Sequence, residues 1–134
     1  MTPQQRFDIV VYRMDSAKRL LAEIEDHIHN GYYNTAVNRM YYACFYAASA
    51  LLLHNEIDGL KTHEGVRQHF GKHFILSGKI DREWGRFYSS LFNSRSAADY
   101  EDFKEYDEIE TRSFLPKVKG FINLIDGLIF PLKE

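Results

Sequence analysis

Residues 40–53 read MYYACFYAASALLL, fourteen positions broken only by Ser49 and the tyrosine hydroxyls. On a helix such a run is apolar all round, so no face of it can be left wholly to water and it belongs at the centre of a packed core. The stretch falls short of the roughly 18 apolar residues a bilayer span needs, and Asn38, Arg39, His54 and Asn55 flank it closely. It therefore predicts a buried core helix and no membrane association. A length of 134 residues supplies material for one such core, and residues 4–130 are expected to form a single domain.

The flanking segments carry helical spacing. Phe7, Val10, Val11, Met14, Ala17, Leu21, Ile24 and Ile28 recur at steps of mostly three and four, predicting an amphipathic helix over 5–29 that stops at Asn30-Gly31. The central helix starts near Tyr33. Residues 54–62 hold Asp58-Gly59 and no sustained period, so they predict a loop ending at Thr62, which can cap a third helix reaching about Ser77. After Ser77-Gly78, Asp81 can cap a fourth helix with Trp84, Phe87, Tyr88, Leu91 and Phe92 at helical spacing, fading near Asp99. Residues 107–129 predict the last helix, with Ile109, Val118, Phe121, Ile122, Ile125, Leu128 and Ile129 inward and a kink or short break at Pro116. No segment alternates as a strand would. The expected fold is all-α, an up-and-down bundle of four long helices plus a short fifth.

Charge and cysteine content narrow the function. Against 19 Asp and Glu stand 17 Lys and Arg, so no global excess of positive charge advertises nucleic acid or anionic lipid. Residues 99–110, DYEDFKEYDEIE, carry a local charge of −6, leaving +4 on the other 122 residues. That acidic stretch reads as a solvated loop favouring the N-terminus of the last helix, or as a docking surface for a basic partner, and it would repel phosphate. The single cysteine, Cys44, excludes an intramolecular disulfide and a cysteine-based zinc cluster, and its apolar neighbours mark it as an inert core thiol. With no basic-then-apolar leader at the start of the chain, a reducing, cytoplasmic setting is expected.

Few residues suggest chemistry on their own. His69 and His73 share a helix face, but the pair lacks the inner Glu of HExxH and a third ligand, so no metal and no cofactor is expected. Arg39, just ahead of the apolar run, is expected with Asn38 as a buried structural polar group, its guanidinium paired with a carboxylate near Asp99. Arg95 either is solvated or offers its fork to a phosphate. Gly-rich phosphate loops, nucleophile-His-Asp arrangements and classical DNA-reading helices are lacking.

Taken together, Asn38-Arg39-Met40-Tyr41-Tyr42-Ala43-Cys44-Phe45-Tyr46-Ala47-Ala48 with Ala50-Leu51-Leu52-Leu53, then Lys61-Thr62-His63-Glu64-Gly65-Val66, then Arg95-Ser96-Ala97-Ala98-Asp99-Tyr100, resemble a prokaryotic HEPN domain over nearly the whole chain. The resemblance implies a bundle of about four long helices plus a short one, usually as a homodimer. Nine Tyr and ten Phe also make more aromatic surface than one small core readily hides, which favours a dimer independently.

Many proteins of this family are metal-independent endoribonucleases, often toxins or defence components, with a minimal nucleotidyltransferase as antitoxin. Their chemistry uses an Arg followed four to six residues later by a His, the His moving a proton and the Arg stabilising the charged phosphorane. The matching Arg here is Arg95, but the position five residues on is Tyr100, and residues 99–102 hold no His. The resemblance thus implies a dimeric partner of a nucleotidyltransferase that binds nucleotide or RNA through Arg95, Asp99 and Tyr100. It also leaves open an active nuclease using Arg95 and Tyr100 with His63 supplying the displaced imidazole, and a structural helical adaptor.

Overall fold

In the computed structural model, which describes the backbone of residues 1–100 and 105–131 and the side chains of 1–95 and 105–131, the described residues form helices and no strand. Five α-helices follow in order: α1 Pro3–His29, α2 Tyr33–His54, α3 His63–Phe70, α4 Arg82–Tyr100 and α5 Glu108–Ile129. This is the expected all-α bundle. Its boundaries follow from local chemistry. Thr2 caps α1, its side chain accepting from the Gln5 N–H while the Gln5 side chain reaches back to the Thr2 N–H. Gly31 takes φ +79 to turn the chain into α2, Thr62 caps α3 through the Gly65 N–H, and Asp107 caps α5 through the Glu110 N–H.

Thirteen residues of α2 are buried, more than in any other fully described helix, and α1, α3, α4 and α5 all pack on it. The apolar run at 40–53 is thus the axis of the bundle. Val10, Met14, Ala17, Ile24 and Ile28 carry α1 against it, and Val118, Phe121, Ile122, Ile125 and Ile129 carry α5. Lys18 on α1 pairs with Asp126 on α5 at 2.9 Å, and Arg112 on α5 reaches Glu25 on α1 at 3.4 Å. Both pairs lie at the surface and add little to stability. Tyr106 anchors the entry to α5, its N–H donating to Asn34 Oδ1 and its hydroxyl to the Ser94 carbonyl. Gly120 lets α5 approach α4, since a Cβ there would stand 2.8 Å from the Trp84 ring.

Four expectations need correction. α3 does not run evenly to Ser77: Gly71–Ile75 form a π-helical turn, closed by the Leu76 N–H donating to the Gly71 carbonyl. α5 continues through Pro116 without a break, because the proline and the carbonyl it leaves without a donor sit on the exposed side. Ile109 and Leu128, expected inward, are 83% and 42% exposed. Ile109 falls in the capping turn ahead of the packed stretch, and Leu128 in the last turn, where the buried stripe passes through Ile125 and Ile129 instead. Arg39 is exposed, and Asn38 is half-buried. Arg39 shares a stripe with Thr35, Tyr42 and Tyr46 at steps of three and four, the one side of α2 that its neighbours leave partly open.

Candidate functional site

The buried arginine of this molecule is Arg95, 8% exposed on α4. Its guanidinium carbon stands 4.8 Å from the centre of the Tyr41 ring and 5.6 Å from that of Phe92, so two π faces meet the cation. Tyr41 comes from the central helix and is fully buried, so its hydroxyl meets no solvent. The hydroxyl instead lies 2.8 Å from Nδ1 of His63, the first residue of α3. The ring of His63 packs 4.4 Å from Phe45 and meets Tyr42 edge-on at 5.5 Å. Behind Tyr41, Tyr88 stacks nearly parallel at 6.1 Å, and Phe92 presents its edge at 5.7 Å. Three helices thus converge on one phenol, which carries an imidazole on its oxygen and a guanidinium on its face.

The caps explain the placement of His63. Thr62 stops the 55–62 loop and starts α3, so His63 is held, half-buried, at a helix start against α2. Glu64, the next residue, binds Arg67, whose guanidinium also lies 5.1 Å over Phe92 and donates to the Ser89 hydroxyl. That contact holds the Glu64 carboxyl below its usual range, chiefly through the hydrogen bond from Arg67.

Burial sets the protonation of the cluster. It pushes the Tyr41 phenol up to about 12, the Tyr88 hydroxyl and then the Arg95 charge offsetting part of that rise, so the hydroxyl stays protonated near neutrality. His63 lies below the ordinary histidine value, first because burial disfavours its charged form and then because Arg95 repels a second cation. A neutral imidazole faces a neutral phenol. The pair can carry its protons in two ways: the phenol donates to Nδ1, or Nδ1–H donates to the phenol oxygen. The second leaves Nε2 as a bare acceptor, which is what a general base requires.

Of the residues singled out from sequence, the structure brings Arg95 and His63 onto one phenol, the first over its ring and the second at its hydroxyl. It does not bring Arg39 there. Arg39 lines a surface groove of about 290 Å³ with Arg19, Glu23, Tyr42 and Tyr46. The side chains of Asp99 and Tyr100 lie outside the described residues. Tyr41, Tyr88 and Phe92, which hold the cluster together, were not singled out as site residues. The one signal for Tyr41 was a phenol in an otherwise apolar run, a buried polar tip that has to find a partner. Cys44 is fully buried and burial pushes its thiol well up, so it is inert. His69 and His73 stack with centroids 5.6 Å apart, and among the described residues no group of three His, Cys, Asp or Glu could hold a metal ion. Among those residues, too, no helix is long and apolar enough to cross a membrane.

Residues 10–128 match the HEPN domain family. The chain belongs to the HEPN domain family. A UPF0332 protein of Thermotoga maritima is 36% identical over 126 residues, covering 94% of this chain and 95% of that one. Two proteins of Methanocaldococcus jannaschii, each named "Putative toxin", are 34% and 36% identical over 110 residues, 82% of this chain and 74% and 76% of theirs. This HEPN domain is therefore related to proteins named as toxins, and its Tyr41-His63-Arg95 cluster sits within the matched region.

Proposed function

We propose that this HEPN domain is the toxin half of a two-component module and that it acts on RNA, without a metal, through His63 and Arg95 across Tyr41. The observation that carries this reading is the 2.8 Å contact of Tyr41 with His63 on the ring whose face Arg95 covers. In this reading His63, from α3, stands in for the imidazole that the sequence after Arg95 lacks. In the proposed reaction His63 removes the proton of a ribose 2′-hydroxyl and the 2′ oxygen attacks phosphorus. The bond to the 5′ oxygen breaks, that oxygen takes a proton from water, a 2′,3′-cyclic phosphate remains, and the protonated His63 returns its proton to the hydroxide so formed. The Arg95 cation stabilises the charge that builds on the phosphorane. A homodimer and a minimal nucleotidyltransferase as antitoxin complete the proposal, supported by the kinship to proteins named as toxins.

A second reading, binding of nucleotide or RNA without cleavage, draws on a different observation. Arg95 is covered by the rings of Tyr41 and Phe92, so a phosphate reaches its fork only if a ring gives way. One experiment separates the two. Purified protein is incubated in chelator with a mixed RNA pool, beside His63→Ala and Arg95→Ala. Cleavage to 2′,3′-cyclic ends that both variants lose supports the nuclease. RNA retained uncut, and released by Arg95→Ala, supports the binding module, while neither cleavage nor retention refutes both. Light scattering at micromolar protein tests the dimer, which a monomer would exclude.

A further inference from the structure

Between the π-helical turn and the start of α4 lies an open groove of about 580 Å³ whose rim is Arg67, Lys72, Arg82 and Arg86. No carboxylate and no aromatic ring lines it. Glu64 and Ser89 occupy Arg67, but Lys72, Arg82 and Arg86 are exposed and make no ion pair or hydrogen bond among the described residues. The N-terminus of α4, which begins at Arg82, adds the positive end of a helix dipole to the same rim. Between the cations the apolar lining is aliphatic: Ile75 and Leu76, the latter standing out at 84% exposure, beside Gly71.

Cations alone would suit any polyanion, so the apolar lining decides. A groove for single-stranded nucleic acid couples a basic track to rings on which bases stack, and no ring lines this one. An exposed leucine between unpaired arginines fits a peptide that brings both carboxylates and an aliphatic side chain. At the start of α5, Asp107 caps the helix and Glu108, its first residue, is held by Arg112, so a second copy has neither carboxylate to spare for this groove. We propose that the groove docks an acidic, aliphatic segment of a different protein, its carboxylates on Lys72, Arg82 and Arg86 and its apolar side chain over Leu76. Arg67 links this surface to the Tyr41 cluster, so the docked segment lies one side chain away from it. The docking does not depend on whether the cluster cleaves RNA.

The test is fluorescence anisotropy on the full chain with three labelled probes: a short peptide of Glu and Leu, the same peptide with Gln for Glu, and a single-stranded RNA of similar length. The Glu/Leu peptide should bind. The Gln version should bind about tenfold more weakly, and so should Arg82→Glu/Arg86→Glu protein confirmed as folded by circular dichroism. Leu76→Ser should weaken the Glu/Leu peptide by about threefold, and the RNA should respond to neither variant. The proposal is overturned if the Glu/Leu peptide fails to bind or binds the charge-reversed protein equally well. RNA binding lost on charge reversal would make the groove a phosphate track instead, and self-association lost on charge reversal would make it a contact between copies.

Discussion

Arg39 near the start of α2 adjoins the apolar run 40–53 and Arg95 toward the end of α4 sits among Asn93, Ser94 and Ser96, yet the first lies in water and the second under two aromatic rings. Helical phase accounts for the difference. Arg39 abuts the most hydrophobic stretch of the chain but falls on the stripe of Thr35, Tyr42 and Tyr46, which no other helix fully covers. Arg95 lies four residues beyond Leu91 and seven beyond Tyr88, both buried, and so projects from the packed side of α4. Proximity along the chain to apolar residues therefore says less about burial than position around the helix.

The comparison can be broken most decisively at Arg95. Replacing it with Ala removes a buried cation from two rings and should cost about 2 kcal/mol, read as a fall in the denaturation midpoint at unchanged slope. A midpoint equal to wild type would return Arg95 to the class of Arg39. Tyr41→Phe keeps the ring under Arg95 but deprives His63 of its partner, and should cost about 1 to 2 kcal/mol in the same assay. A loss as large as that of Tyr41→Ala would mean that the hydroxyl contact is not separable from packing.

A pH titration sharpens the picture further. His63 has a native pKa below its unfolded value, so its neutral form is the one folding favours. The stability linked to it is fully present above about pH 6.5 and is lost as pH falls through the lowered native value. Melting curves collected from pH 7 downward should show that loss, and His63→Gln should flatten it. The smallest effect is expected at Arg39→Ala, within about 0.5 kcal/mol of wild type, as for an exposed side chain with no ion pair.

The helices and their ends could be read from the sequence because their causes are local: Thr62 caps α3, Gly31 adopts positive φ, and the spacing of Val10, Met14, Ala17, Ile24 and Ile28 faces one side. The π-helical turn at Gly71–Ile75 left no such trace, since it adjusts the register of Phe70 and Phe74 on a core built from other helices. Ile109 and Leu128 keep the period of α5 near its two ends but fall off the buried stripe, which in the last turn passes through Ile125 and Ile129. The cluster was half visible. Arg95 and His63 could each be named from the motifs, but their meeting depends on how α3 and α4 pack against Tyr41, a three-body arrangement that no spacing within one segment encodes.

The most direct test of this arrangement is the pKa of His63 followed by NMR in wild-type protein and in Arg95→Met, which keeps much of the bulk and removes the charge. If the two residues share one site across Tyr41, His63 titrates below about 6.5 in the wild type and moves upward in the variant, part of the way because burial remains. A His63 that titrates at the same pH in both proteins would contradict the account, for it would place Arg95 outside the field of the imidazole it is said to serve.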